Sequence, residues 1–111
     1  MEIYGIPNCD TVKKARVWFE EQGVEFTFHN FRKDGLTPSQ VSGWMEALGD
    51  DVLVNRKSAT WRKLSDAEKQ LTGEALIALL VERATLIKRP VIEEGKKLTV
   101  GFNDAVRDQW S

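Results

Sequence analysis

The stretch Ile3-Tyr4-Gly5-Ile6-Pro7-Asn8-Cys9-Asp10-Thr11-Val12-Lys13-Lys14-Ala15-Arg16 decides how the chain is read. It runs from a short apolar strand through a Pro-Asn turn to the single cysteine and then into a helix. Asn8 is a candidate N-cap, which puts Cys9 at or just inside the first helical turn. A thiol there meets unpaired backbone N–H groups and the positive end of the helix dipole. Both favour thiolate, and such positions bring a cysteine pKa down from about 8.5 to roughly 3.5–7.5. Lys13, Lys14 and Arg16 add positive charge if their side chains fold back toward the terminus. The competing reading is a structural thiol, because free cysteine is among the most buried residue types.

Outward from that stretch, Glu2 to Ile6 is short and apolar enough for a buried central strand. Thr11 to Gln22 is helical, with Val12, Ala15 and Phe19 on one face, Trp18 widening it and Gly23 stopping it. Val24 to His29 alternates apolar and polar residues as a half-buried strand does. Strand, helix and strand within so few residues form a βαβ unit with parallel strands. His29, the only histidine, could serve Cys9 as a general base. Neighbouring strand ends need not face each other's turns, so a strand-end or surface histidine is the expectation.

The middle of the chain is helical. Thr37-Pro38 with Gln40 spells a capping box, and a helix through Val41, Trp44, Met45 and Leu48 stops at Gly49. Val52 to Leu64 is rich in bases and hydroxyls, Ser65-Asp66-Ala67-Glu68 opens a second helix, and Thr72 or Gly73 opens a third. That third helix is apolar almost all round. After it, Leu86 to Ile92 returns to strand chemistry, interrupted by Arg89-Pro90, an X-Pro bond where a cis peptide is worth suspecting. Glu94-Gly95-Lys96 turns into a strand over Lys97 to Val100, antiparallel to the one before, and Asn103 caps a last helix to Trp110.

Composition limits the function classes. The 111 residues suit one domain with a core of its own. A formal net charge of −1 with interspersed signs gives no electrostatic footprint for nucleic acid or an anionic membrane. The run Ala75 to Val81 is far too short to span a bilayer. One cysteine permits no intramolecular disulfide, and the N-terminus lacks a signal-peptide pattern, so a cytoplasmic protein is expected.

The order β-α-β, helical insertion, β-β-α is that of a thioredoxin-like α/β fold with a four-stranded mixed sheet. The core is expected at about 1–33 and 85–111, with the insertion at about 34–84. Cys9 has no second thiol three positions on, where a C-x-x-C motif would carry it, because Val12 stands there, so dithiol exchange within one site is excluded. A single low-pKa thiolate could attack a disulfide or an oxyanion acceptor and pass through a mixed species with an outside thiol. That chemistry needs cations, and Arg56, Arg62 and Arg89 are the candidates. Arg62 reads more naturally as a solvated surface residue. Arg89 precedes the strand-opening proline and is the better choice. Trp61 could line a groove beside Cys9 or serve packing.

Ile3 through Arg16, Phe31-Arg32-Lys33-Asp34-Gly35-Leu36, Thr60-Trp61-Arg62-Lys63-Leu64 and Ile87-Lys88-Arg89-Pro90 together resemble the arsenate-reductase-related ArsC family. The resemblance spans nearly the whole chain and is closest to the YffB-type branch, a sibling of the Spx regulators. It implies Cys9 as nucleophile, Arg56 and Arg89 as two of the three arginines of the reductases, and Pro90 as the proline that is cis in such folds. The third arginine is replaced by Gly101, and Asp10 places a negative charge beside the position of an arsenate oxyanion. Both departures weaken oxyanion binding. The resemblance therefore implies a glutathione-dependent thiol reductase with glutathione as co-substrate, no tightly bound cofactor and no metal. Asn8, Asp10, Thr11, Lys13, Trp61, Arg62 and Pro90 would form the substrate and glutathione surface. The expected partners are glutathione and a small-molecule or protein disulfide, with no nucleic acid and no membrane, and the chain is expected to be a monomer. The alternatives are an Spx-like protein that binds RNA polymerase and a family member without turnover.

Overall fold

In the computed structural model, which describes residues 1–111, the elements follow in one order along the chain. They are β1 (Glu2–Gly5), α1 (Asp10–Glu21), β2 (Thr27–Asn30), α2 (Phe31–Asp34), α3 (Pro38–Leu48), α4 (Asp50–Leu53) and α5 (Ala59–Arg62). After these come α6 (Asp66–Lys69), α7 (Gly73–Glu82), a 3-10 turn (Ala84–Leu86), β3 (Val91–Glu94), β4 (Lys97–Val100) and α8 (Asp104–Trp110). No helix is long and apolar enough to cross a membrane.

Two compact units result, one of Met1–Asp34 with Arg89–Ser111 and one of Gly35–Lys88. The second boundary falls later than the expected residue 85. Ala84–Leu86 winds as a 3-10 turn, and a bridge between Val54 and Ile87 keeps this segment with the helices. The strand expected over Leu86 to Ile92 accordingly starts only at Val91 and runs on to Glu94 as β3. Its start at Val91 follows a cis Arg89–Pro90 peptide, and Pro90 has no N–H to offer a ladder.

The first unit is built on a four-stranded mixed sheet of order β2-β1-β3-β4. β1 and β2 are parallel, as the βαβ reading requires, while β1–β3 and β3–β4 are antiparallel. Period-two alternation gives the sheet two chemically different faces. Ile3 and Ile92, which are cross-strand partners, point to the face covered by Phe19 of α1. Trp18, Phe28, Phe102 and Trp110 close around that trio. Full burial of a Phe side chain stabilises by about 1.5–3 kcal/mol, and Phe19 is wholly buried. Thr99, a buried polar residue of β4, accepts a hydrogen bond from the Trp110 indole Nε1 at 2.8 Å, which ties α8 to the sheet.

β2 is shorter than the alternating pattern suggested. It covers Thr27–Asn30 because β1 offers only the partners Glu2 to Gly5. Val24 and Phe26 instead join the core cluster from the connection after Gly23. Asn30 ends the strand by accepting the backbone N–H groups of Arg32 and Lys33, which starts α2.

In the second unit α3 packs on α7, with Val41, Trp44, Leu76, Leu79 and Leu80 buried. The Thr37–Gln40 capping box is present in full, as is that of Ser65–Glu68. Three four-residue helices, α2, α4 and α5, lie outside the helices read from the sequence; Ser58 accepts the Trp61 N–H and begins α5 inside the basic stretch.

Candidate active site

Cys9, not Asn8, is the N-cap of α1. Its backbone is extended (φ −90°, ψ 124°), and its carbonyl already accepts the Lys13 N–H at 2.9 Å. Pro7 and Asn8 are spent on the preceding turn, which the Cys9 N–H closes onto the Ile6 carbonyl at 3.3 Å. Asn8 is left exposed. The correction moves the sulfur one position outward, so that it faces the second and third N–H groups of the helix, those of Thr11 and Val12.

The half-buried thiol makes no capping hydrogen bond of its own. Its ionised form is the one the surroundings suit. Burial pushes the Cys9 pKa up, but the Val12 N–H, the hydrogen bond and charge of the Arg89 guanidinium, and the Thr11 N–H pull it down further. The net result lies below the ordinary thiol value. A larger thiolate fraction near neutral pH is the consequence, and thiolate is the nucleophilic form.

Arg89 reaches Cys9 from the segment just before β3. The cis Arg89–Pro90 peptide leads into that strand, and the buried Pro90 is pinned by its carbonyl, which accepts the Gly101 N–H at 2.9 Å. Gly101 thus has a backbone role, with φ of +77°.

Arg16 does not turn back toward the terminus; its guanidinium sits 4.1 Å from the centre of the Phe28 ring. Lys13 and Asp10 are exposed. In the second unit, Arg56 forms an ion pair with Asp51 and lies 5.4 Å from the centre of the Trp61 ring. An anionic ligand would compete with Asp51 for that guanidinium. Arg62 is exposed at the end of α5. His29 hydrogen-bonds Glu2 at 2.8 Å and stacks on Tyr4, a strand residue engaged in the sheet and not a base for Cys9. No group of three or more His, Cys, Asp or Glu side chains is placed to hold a metal ion. Sequence reading gives Val12 a place in the apolar stripe and at the position of a second C-x-x-C thiol; that its N–H also favours the thiolate follows once Cys9 is the cap.

The ArsC family model matches residues 4–109. The chain belongs to the ArsC family. An uncharacterized protein of Haemophilus influenzae is 43% identical over 92% of this chain and 90% of its own length. The global transcriptional regulator Spx 1 of Oceanobacillus iheyensis is 30% identical over 92% of this chain and 79% of its own. The solved structure of a YffB protein superposes with a TM-score of 0.90 at 36% identity, covering 97% of this chain and 96% of that one. The fold is the thioredoxin-like one of this family.

Proposed function

We propose that this ArsC-family protein is a monothiol thiol–disulfide reductase that uses glutathione as its reductant. The observation that carries the reading is Cys9 at the N-cap of α1, where helix N–H groups and Arg89 act on one sulfur and favour its ionised form. The Cys9 thiolate attacks one sulfur of a substrate disulfide, forming a mixed disulfide and releasing the other half as thiolate. With Val12 where a resolving thiol would stand, no internal attack follows. A first glutathione thiolate displaces the remaining substrate thiol from Cys9, and a second displaces the first as glutathione disulfide. Two glutathione thiols are oxidised, one substrate disulfide is reduced, and Cys9 returns as thiolate.

Arg89 holds the attacking and leaving thiolate of Cys9, and Arg56 is assigned to an anionic group of substrate or glutathione. Gly101 and Asp10 both disfavour arsenate as the substrate. The similarity to Spx 1 supports a second reading, a docking regulator whose cysteine does no turnover. The test is to incubate the protein with glutathione disulfide, measure intact mass, and then follow glutathione-dependent reduction of a model disulfide. A single Cys9 adduct that glutathione removes with turnover is expected, and Cys9→Ser should abolish both. An adduct without turnover would favour the docking reading, and no adduct would end the reductase reading.

A further inference from the structure

Gly5 is the last residue of β1, buried and paired with Asn30. Its φ is not in the left-handed region, where glycine is usually called for. Conformational freedom is therefore not what this position requires. Space is. Of the eight glycines, it is the one at which an added Cβ would meet another part of the molecule within 4 Å. That atom would lie 2.7 Å from Val12 Cγ2, 3.3 Å from Cγ1 and 3.6 Å from Cβ.

Val12 cannot step aside locally. Its side chain is fully buried, and a helical valine holds one χ1 rotamer about 90% of the time. Close-packed surroundings leave the methyl groups no vacant volume to enter. A side chain at position 5 would therefore move the backbone of the first turn of α1. That turn carries the N–H groups facing Cys9.

We propose that Gly5 is a positioning residue for Cys9: its bare Cα lets Val12 seat the first turn of α1 against β1, with the Thr11 and Val12 N–H groups aimed at the sulfur. This rests on the reading of Cys9 as a reactive thiolate. Val12 thus has two jobs, a side chain that docks the turn on the strand and an N–H that faces the sulfur. Gly5 has no contact with Sγ in this scheme and acts through Val12.

The test is a double-mutant cycle of wild type, Gly5→Ala, Val12→Ala and the double variant. The readout is the pH profile of iodoacetamide alkylation by intact mass, beside a thermal melt. Gly5→Ala should move the profile to higher pH and slow alkylation at pH 7 by roughly three- to tenfold, the loss of about one hydrogen bond. In the Val12→Ala background the clashing methyl groups are gone, and a 3.6 Å Cβ–Cβ contact is ordinary. There the same Gly5→Ala change should leave the profile where Val12→Ala alone puts it. Equal profiles for wild type and Gly5→Ala would overturn the proposal, as would a Gly5→Ala effect undiminished in the double variant. Should Gly5→Ala fail to fold, the double variant must still fold and match Val12→Ala, and its failure would also overturn the proposal. A wild-type thiol that titrates as an ordinary cysteine would instead overturn the reactive-site reading, and this one with it.

Discussion

Replacing Arg89 by alanine removes from Cys9 both a hydrogen bond and a full positive charge. A charge-assisted hydrogen bond is worth about 1.5–3 kcal/mol. Because the sulfur is only half-buried, solvent screens part of this and about 1 kcal/mol is a fair expectation. Where the protonated form dominates, that energy corresponds to roughly a fivefold fall in thiolate population. Iodoacetamide alkylation, followed by intact mass across pH, reads this population directly. Arg89→Ala should shift the profile to higher pH and slow alkylation about fivefold on its acid limb, with little change at high pH. Arg89→Lys should fall between, because an ammonium keeps the charge but loses the planar fork. The Val12 and Thr11 N–H groups remain, so the variant should not revert fully to an ordinary thiol. An Arg89→Ala profile that overlays the wild type would refute the assignment of Arg89 as the thiolate's partner.

The same lowered pKa makes a stability prediction. A group whose folded pKa is depressed stabilises the fold fully above its unfolded value and ceases to do so as pH falls through the folded value. For Cys9 the window runs from its lowered native value up to about 8.5. Wild type should therefore gain stability relative to Cys9→Ser as pH rises through that window, read by denaturant melts; a difference independent of pH would contradict a stabilised thiolate. In the core, Trp110→Phe keeps most of the packing but strands the Thr99 hydroxyl, which is buried and bonded to the indole. That should cost about 1–3 kcal/mol. Adding Thr99→Val should recover much of the loss, and additive losses in the two variants would show that the bond does not couple them.

Much of the fold was legible because its signals are local. The apolar start, the Pro-Asn turn, the i, i+3, i+7 stripe of α1 and the capping box at Thr37 depend on residues a few positions apart. Strand ends were less legible, since a strand is as long as its partner allows. Val24 and Phe26 carry a strand pattern yet have no backbone partner in β1, and Ile87 found a lone bridge to Val54 instead of a ladder. At the site, the sequence marked Cys9 and favoured Arg89, but it offered Asn8 as the cap and left open whether Arg16 folds back toward the terminus. The structure decides both points, through the turn closing on Ile6 and through the ring of Phe28 under the Arg16 guanidinium.

By itself, then, the amino-acid order determined the strand–turn–cysteine–helix grammar, the single-thiol chemistry and the run of elements, because each is set by side-chain type at short separation. Only the tertiary structure decided which cation meets the sulfur. Arg89 is eighty residues from Cys9 in the chain, and sequence spacing carries no information about that distance in space. The antiparallel pairing of β3 with β1 sets it, by bringing the start of β3 alongside the end of β1. The need for a bare Cα at Gly5 was likewise invisible until α1 was seen to close on the strand.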